Sequence, residues 1–212
     1  MRLYLSSFRF GAKPEKLVAL VGHGKRVAVI LNALDNFPDQ RTEWLTSQTN
    51  ALSALGFVVD ELDLRHYFRE PTKLEKALTS TDAVWINGGN AFLLRRAMKQ
   101  SGFDVAIRRL LDEDRIVYAG FSAAVCCAAP TLRGAEMVDD AHDVPPGYDA
   151  EIVWNGLGLL DVNVAVHFES AHSESEAINK EIDFYRRNDV SFKTLRDGQV
   201  IIVDGEISEI AG

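Results

Sequence analysis

The stretch that decides the fold is Ile116–Val125, which reads IVYAGFSAAV. Its first half is an apolar run typical of a buried strand, and its second half is a run of small residues typical of a helix start. Between the two stands Gly120-Phe121-Ser122, and the glycine permits a sharp turn because it carries no side chain. The stretch therefore predicts a strand–turn–helix unit with the Ser122 hydroxyl at the carboxyl edge of a sheet.

The same alternation of strand and helix patterns extends over most of the chain. Most strand candidates are apolar on both faces, which is typical of a central sheet covered on two sides. Repeated strand–helix–strand units predict an α/β fold with a doubly wound, mostly parallel sheet. The strands are predicted at Arg2–Ser6, Arg26–Asn32, Phe57–Asp63, Ala83–Asn87, Ile116–Gly120, Val162–Val166 and Val200–Asp204, and the helices at Pro14–Gly22, Gln40–Gly56, Pro71–Thr79, Asn90–Gln100, Asp104–Asp112, Ser122–Ala129 and Glu174–Asn188.

The C-terminal part breaks this alternation. Three short runs, Lys193–Arg196, Gln199–Val203 and Glu206–Ile210, are separated by Asp-Gly pairs that favour tight turns. They predict a small antiparallel meander. With no linker or internal repeat in sight, residues 1–212 are expected to form a single domain.

Composition excludes several classes of protein. Hydrophobic residues make up 47% of the 212 positions, which is too many for a disordered chain. The 31 acidic and 23 basic side chains give a formal charge of −8, which argues against nucleic acid or an anionic membrane as the main partner. No apolar run approaches the length of a membrane-spanning helix, and the first residues lack a signal-peptide pattern.

The two cysteines, Cys126 and Cys127, are adjacent and have neither disulfide nor metal-ligand spacing. They are expected to be small buried residues in a reduced, cytoplasmic protein. No metal and no cofactor are predicted. The oligomeric state is left open between a monomer and a homodimer.

Two turns of the predicted sheet could stabilise a developing negative charge. The first places the N–H of Ala123 beside Ser122 at a helix start, and the second is Gly88-Gly89-Asn90 at the end of another strand. A plain helix N-cap is the alternative interpretation for both Ser122 and Asn90. Because both strands are parallel, the two turns are expected at the same edge of the sheet, where ligands bind in such folds.

A general base is found by the same argument. His167 ends the apolar run Val162–Val166, so it too is expected at a strand end, whereas His172 follows in the next loop. A lone histidine in that position is usually structural. A serine, a glycine-pair turn and a histidine at three strand ends together favour a catalytic site.

These residues carry a family resemblance. The ordered motifs resemble the peptidase E family of aspartyl dipeptidases, within the larger group that has a class I glutamine-amidotransferase-like, flavodoxin-like fold. This resemblance implies a serine hydrolase that removes an N-terminal aspartate from small peptides without a metal. The motifs are Gly88-Gly89-Asn90-x-Phe92-x-Leu94, Gly120-Phe121-Ser122-Ala123, Pro130-Thr131-Leu132-Arg133 and Val166-His167-Phe168.

The resemblance also implies roles for individual residues. Ser122 matches the nucleophile and His167 the base, while Gly89 and Ala123 match the donors to the oxyanion. The acidic partner of His167 is left open among three residues. Asp197 is the first choice; the others are Glu136 and Glu169, which lies two residues after the histidine.

Two departures from the family pattern matter. Ala124 stands where the family usually has glycine, which would cost about 1 kcal/mol if the position required positive φ and nothing if it is helical. An aspartyl substrate also calls for a cation, and only His172, Arg133 and Lys180 are candidates. A relative with another peptide preference, or a non-catalytic binding or sensor module, is therefore kept as an alternative.

A cysteine nucleophile is a further alternative, because amidotransferases use one. The turn holds Ser122, however, and Cys126 lies about one helical turn beyond it, where it is expected to point into packing.

Overall fold

The computed structural model, which describes residues 1–212, contains nine strands and seven α-helices that alternate over most of the chain. The strands are β1 (Arg2–Ser6), β2 (Arg26–Ile30), β3 (Val58–Glu61), β4 (Ala83–Ile86), β5 (Val117–Phe121), β6 (Asn163–Ala165), β7 (Phe192–Thr194), β8 (Val200–Asp204) and β9 (Ile207–Ala211). The helices are α1 (Pro14–Val21), α2 (Pro38–Ala54), α3 (Pro71–Leu78), α4 (Ala91–Ser101), α5 (Phe103–Asp112), α6 (Ala123–Ala128) and α7 (Ser175–Arg187). None of these helices is long and apolar enough to cross a membrane.

Seven of the strands form one sheet in the order β3-β2-β4-β5-β1-β8-β9. The first five are parallel to one another, and β8 joins β1 in antiparallel fashion. The α/β class and the mostly parallel sheet are thus confirmed. All seven predicted helices are present, with ends that shift by at most two residues.

Two hydrophobic cores cover the faces of this sheet, because successive strand side chains point to opposite sides. In β4, Val84 and Ile86 belong to the larger core, whereas Trp85 belongs to the smaller one. Helix α2 packs on the smaller core, where Gln48 accepts a 2.8 Å hydrogen bond from the Trp85 indole. The buried indole N–H is satisfied in this way, and the helix is fixed against the sheet.

The C-terminal prediction needs one correction. Antiparallel strands are present there, but they form the two-stranded hairpin β8–β9 rather than a three-stranded meander. The first strand predicted for the meander, Lys193–Arg196, overlaps β7, which pairs in parallel with β6 in a separate small sheet. The strand predicted at Val162–Val166 corresponds to β6 and is therefore not part of the main sheet.

The register of the central strands determines where a site can form. Ile86 at the end of β4 lies opposite Gly120 near the end of β5, and Ser6 at the end of β1 lies opposite Phe121. Three chain segments consequently leave the sheet side by side at its carboxyl edge. Ligands bind at this edge in open α/β sheets.

Candidate active site

The turn from β5 to α6 holds Ser122 in an unusual backbone conformation. Ser122 has φ 52° and ψ −110°, outside the regions that residues with a side chain prefer. Its N–H donates to the Ser6 carbonyl at 3.2 Å, and its carbonyl accepts from Val125 at 2.8 Å, so both neighbours hold it in place. Strain of this kind is typical of a serine presented at a strand-to-helix turn as a nucleophile.

Glycines around this turn are required by close packing. A Cβ on Gly120 would lie 2.4 Å from the Ile86 carbonyl oxygen and 2.6 Å from the Ala124 Cβ. A Cβ on Gly88 would lie 2.9 Å from the Ser122 Cβ. Real Cβ contacts are longer than this, so the turns after β4 and β5 approach each other only because both carry glycine.

Ala124 does not strain the turn. It lies inside α6, and its φ is not positive. Its carbonyl accepts a 2.9 Å hydrogen bond from the Tyr118 hydroxyl, which anchors the first turn of the helix to the sheet. The departure from glycine at this position therefore has no backbone cost.

Two backbone N–H groups flank Ser122 without an acceptor inside the protein, those of Gly89 and Ala123. Gly89 has φ 129°, and a Cβ there would lie 2.7 Å from the Ala33 carbonyl oxygen, so glycine is needed. Asn90 has the capping role instead: its side-chain oxygen accepts from Phe92 at 2.9 Å. The predicted oxyanion donors are thus brought beside the serine.

His167 lies across the same pocket and is hydrogen-bonded to an acid. Its Nδ1 is 2.7 Å from the Asp197 carboxylate. Ser7 links the two residues, since its hydroxyl donates to Asp197 at 2.8 Å and accepts from the His167 backbone N–H at 2.8 Å. The Asp197 backbone N–H donates in turn to the Ser170 hydroxyl at 2.8 Å. The pair is therefore fixed in orientation from both sides.

The second ring nitrogen of His167, Nε2, is buried and makes no hydrogen bond within the protein. Burial lowers the pKa of His167, while the hydrogen bond to Asp197 opposes this effect. A neutral imidazole whose Nδ1–H is held by a carboxylate presents a free lone pair on Nε2. That is the state a general base requires.

The structure brings neither of the other two acidic candidates to His167. The Glu136 carboxylate accepts from the Gly134 backbone N–H at 2.6 Å, on a short 3₁₀ segment. Glu169 is exposed and forms an ion pair with Arg196. Of the three, Asp197 alone contacts the imidazole.

The pocket that joins Ser122 to His167 has a volume of about 230 Å³. Most residues of its wall have either an aromatic ring or a small side chain. The wall consists of Phe8, Leu34, Gln40, Trp44, Asn87, Gly88, Gly89, Phe121, Ser122, His167, His172, Ser173 and Glu174. The His172 ring stacks on His167 with centroids 3.7 Å apart. Glu174 is the only acidic residue of this wall, and no lysine or arginine belongs to it.

The cations predicted for an aspartyl substrate lie elsewhere, with one exception. Arg133 stacks over Trp154 at 4.7 Å, and Lys180 is exposed on α7. His172 does line the pocket. Arg9, which the sequence does not single out, is exposed, and its guanidinium lies 5.2 Å from the ring centroid of Phe8 and 5.4 Å from that of Trp44, two residues of the pocket wall.

Behind the turn lies a small recess of about 10 Å³, enough for one water-sized group. Gly89, Ser122 and Ala123 line one side, and Asp139, Glu174 and Glu181 line the other. The loss of solvent raises the pKa of Asp139 and of Glu181 to about 7, and the charge of Glu174 adds to both shifts. Three carboxyl groups therefore lie close to the serine, and burial disfavours the ionised form of Asp139 and Glu181.

The buried carboxyl of Glu181 leads to a prediction about stability. Its folded-state pKa of about 7 lies above its ordinary 4.5 because burial disfavours the ionised carboxylate. The protonated side chain therefore contributes its full stability below about pH 4.5, and this contribution is lost progressively as the pH rises through 7 and the buried group ionises. Glu181→Gln should therefore leave the melting temperature nearly unchanged at pH 5 and raise it at pH 8. The gain in unfolding free energy at pH 8 should be at most about 3 kcal/mol.

Thermal unfolding at both pH values measures this difference. The amide oxygen of glutamine can still accept from the Tyr185 hydroxyl, as Glu181 does. The control is Glu176→Gln, which removes the same charge from an exposed position of α7. If the difference in melting temperature between the parent and Glu181→Gln were the same at pH 5 and pH 8, the raised pKa of Glu181 would be contradicted.

The two cysteines are free, and burial raises the pKa of both thiols, that of Cys127 to about 12. Thiolates are the reactive form, so neither side chain is suited to act as a nucleophile. Cys126 does line the recess behind Ser122, but the strained turn presents the serine.

Three groups of the pocket could in principle share a metal ion, because ligand atoms of His167, His172 and Glu174 lie within 4.8 Å of one another. The imidazoles are nearly parallel, with an interplanar angle of 7°. Parallel rings direct their lone pairs side by side rather than toward a common point. The arrangement is therefore better suited to a base with a stacked neighbour than to tetrahedral coordination.

Comparison with known families places this geometry in context. The sequence model of peptidase family S51 matches residues 12–211. The chain belongs to peptidase family S51. The match covers both glycine turns, His167 and Asp197, so every residue of the pocket except Phe8 lies within it.

Several curated proteins are similar to this S51 chain. Peptidase E of Streptomyces coelicolor is 28% identical over 140 residues, which are 64% of this chain and 54% of that protein. An uncharacterized peptidase of Listeria monocytogenes is 27% identical over 69% of this chain and 67% of its own length. A Drosophila melanogaster protein named "Probable alpha-aspartyl dipeptidase" is 26% identical over 77% of this chain and 64% of its own. The chain thus spans about half to two thirds of these relatives.

Solved structures support the same fold. A candidate peptidase E protein from Listeria monocytogenes superposes with a TM-score of 0.82 at 20% identity, covering 99% of this chain and 97% of that one. A peptidase from an acI-B1 actinobacterium gives a TM-score of 0.72 at 13% identity, covering 100% and 87%. At these identities the likeness concerns the fold alone.

Proposed function

We propose that this S51 family member is a serine peptidase that cleaves short peptides through Ser122, His167 and Asp197. The observation that carries the proposal is a single pocket. It joins a serine on a strained turn to a histidine whose Nδ1 is held by a carboxylate and whose Nε2 makes no hydrogen bond. Names of the relatives, which include peptidase E, support the same activity.

In the proposed reaction the Ser122 oxygen attacks the peptide carbonyl carbon while His167 Nε2 takes the hydroxyl proton. The imidazolium is stabilised by Asp197, which also fixes the tautomer. His167 then gives the proton to the leaving amine as the carbon–nitrogen bond breaks. Water then attacks the ester carbonyl while His167 takes its proton, and His167 returns that proton to the Ser122 oxygen as the bond between this oxygen and the acyl carbon breaks, which releases the new carboxylic acid as its carboxylate.

The N–H groups of Gly89 and Ala123 are the proposed donors to the oxyanion. Both are free of intramolecular acceptors and flank the serine. Donors that are fixed before the reaction need no reorganisation, and removing one such donor typically costs about 10²–10³-fold in kcat. Because they are backbone groups, side-chain substitution cannot remove them without moving the turns themselves.

Pocket size supports a short substrate. The volume of about 230 Å³ falls below the roughly 300 Å³ at which pockets for drug-sized ligands begin. Aromatic walls formed by Phe8, Trp44 and Phe121 close it on one side. A dipeptide, with one residue on each side of the cleaved bond, suits this enclosure better than a longer chain.

The resemblance to peptidase E predicts that the first residue is aspartate. An aspartate side chain would need a cation, and this pocket offers His172 in its wall and Arg9 on the Phe8 and Trp44 rings of that wall. The activity proposed here does not depend on that preference. A related hydrolase with another first residue would use the same serine and histidine.

Two measurements test the proposal. A fluorophosphonate probe should label the parent at Ser122, and labelling should be lost in His167→Ala. A library of dipeptides that vary at the first residue should contain substrates cleaved by the parent and not by Ser122→Ala. A binding or sensor module would give neither labelling nor cleavage, and this result would overturn the proposal.

A further inference from the structure

The pocket and the recess behind it contain acidic side chains but no lysine or arginine. Among its thirteen wall residues Glu174 is the only acid, and lysine and arginine are absent. Asp139 and Glu181 lie beyond it in the recess, again without a basic side chain among the lining residues. The Arg9 guanidinium stacks on the rings of Phe8 and Trp44, but Arg9 itself is not among the lining residues. Carboxyl groups therefore line the inner part of the pocket, and no lysine or arginine accompanies them.

Glu174 has the contacts of a carboxylate that is available to a ligand. Its side chain is 41% exposed and lines both the pocket and the recess beside Ser122. Its carboxylate oxygen lies 4.0 Å from His167 Nε2 and 3.8 Å from His172 Nδ1, and it forms no ion pair with a lysine or arginine. The residue stands directly before the first residue of α7.

Substrate chemistry brings a cation to this place. When a peptide is cleaved after its first residue, the α-ammonium is separated from the attacked carbonyl carbon only by the α-carbon. The group that binds the ammonium must therefore share a pocket with the nucleophile. Glu174 meets this condition, since it lines the recess together with Ser122, Gly89 and Ala123.

We propose that the Glu174 carboxylate binds an ammonium group of the substrate's first residue and so selects against an acidic first residue. The proposal rests on the peptidase function proposed above and assigns its substrate class. The ammonium can be the α-amino group or the side chain of lysine. A first-residue aspartate would instead bring a like charge toward Glu174, which costs binding energy.

The test compares kcat/KM for matched p-nitroanilides of alanine, N-acetylalanine, lysine, asparagine and aspartate in the parent and in Glu174→Gln. The parent should cleave the free alanine compound at least about tenfold faster than the acetylated one, and asparagine faster than aspartate. In Glu174→Gln both ratios should fall at least fivefold toward unity, while Glu174→Asp, which keeps the charge, should retain part of them. Glu176→Gln, which removes an exposed charge of α7, should keep the parental ratios.

Ratios distinguish substrate binding from an effect of Glu174 on His167, because a change in the base would slow every substrate equally. A lysine compound cleaved no faster than alanine identifies the α-amino group as the source, and a lysine advantage that disappears in Glu174→Gln identifies the side chain. Ratios in Glu174→Gln equal to those of the parent, or a parent that prefers aspartate to asparagine, would overturn the proposal. Failure of the peptidase function is a separate result, recognised by the absence of Ser122 labelling in the parent.

Discussion

Ser122→Ala is expected to lower kcat/KM on any cleaved peptide by about 10⁴-fold or more, as loss of the nucleophile does in serine proteases. The substitution removes one oxygen atom and keeps the Cβ, so it leaves the packing of Gly88 and Phe121 unchanged. Hydrolysis of the best library substrate and circular dichroism of both proteins measure the effect. A variant that is folded and cleaves at more than a hundredth of the parental rate would show that another group attacks the carbonyl.

A second substitution at this position separates function from strain. Glycine accepts φ 52° and ψ −110° without the cost that a side chain brings, which is about 1–3 kcal/mol for such backbone conformations. Ser122→Gly should therefore be as inactive as Ser122→Ala and yet have a higher melting temperature than the alanine variant. A glycine variant that melts below the alanine variant would mean that the turn stores no strain.

Asp197→Asn should lower kcat by about 10⁴-fold, because an amide in place of the carboxylate no longer fixes the tautomer or stabilises the imidazolium. The nearly equal size of Asn keeps the position filled between His167 and Ser7. Single-turnover kinetics with a chromogenic peptide measure the loss directly. Fluorophosphonate labelling of Ser122 should slow in parallel, since it depends on the same base.

Two matched controls come from the chain itself. Glu169→Gln and Glu136→Gln remove the other acids that the sequence places near the histidine, one exposed and paired with Arg196, the other bonded to Gly134. Each should retain kcat within about threefold, the range of an ordinary surface effect on the barrier. Equal losses in all three variants would show that Asp197 has no special role.

The parts of the site that sequence could predict are those specified by local turn chemistry. Gly120 and Ser122 stand where an apolar strand meets a helix of small residues, and Gly88-Gly89 ends the neighbouring strand. Such turns are encoded by a few consecutive residues, and a parallel sheet aligns them at one edge. The structure brings both turns together with contacts that exclude any Cβ at Gly88 or Gly120.

The sequence-based prediction that His167 lies at the end of a strand of the main sheet is only partly right. The apolar run before it does form a strand, but β6 pairs with β7 outside the main sheet. Periodicity indicates that a segment is extended and apolar, and it does not identify the strand's partner. The histidine reaches the pocket because the chain turns sharply there, with φ 56° at His167 itself and φ 45° at Glu169.

The sequence could not show which of the three acidic candidates contacts His167. Glu169 has a positive φ, and its side chain points outward to Arg196, whereas Asp197, which follows His167 by 30 residues, returns to contact the imidazole. Glu174, Asp139 and Glu181 were missed for the same reason: an acidic loop or helix residue has no local signal that it lines a recess. A single sequence contains no information on such long-range contacts.

The contacts of the Ser7 hydroxyl determine when the site can be completed during protein synthesis. It bonds the His167 backbone and the Asp197 carboxylate, which follow it by 160 and 190 residues. A growing chain emerges from the ribosome N-terminal end first, so the Ser122 turn can form while Asp197 is still being made. Until Asp197 has been synthesised, no carboxylate orients the His167 imidazole beside Ser122. The proposed Ser122–His167–Asp197 arrangement can therefore be completed only after residue 197 has been synthesised.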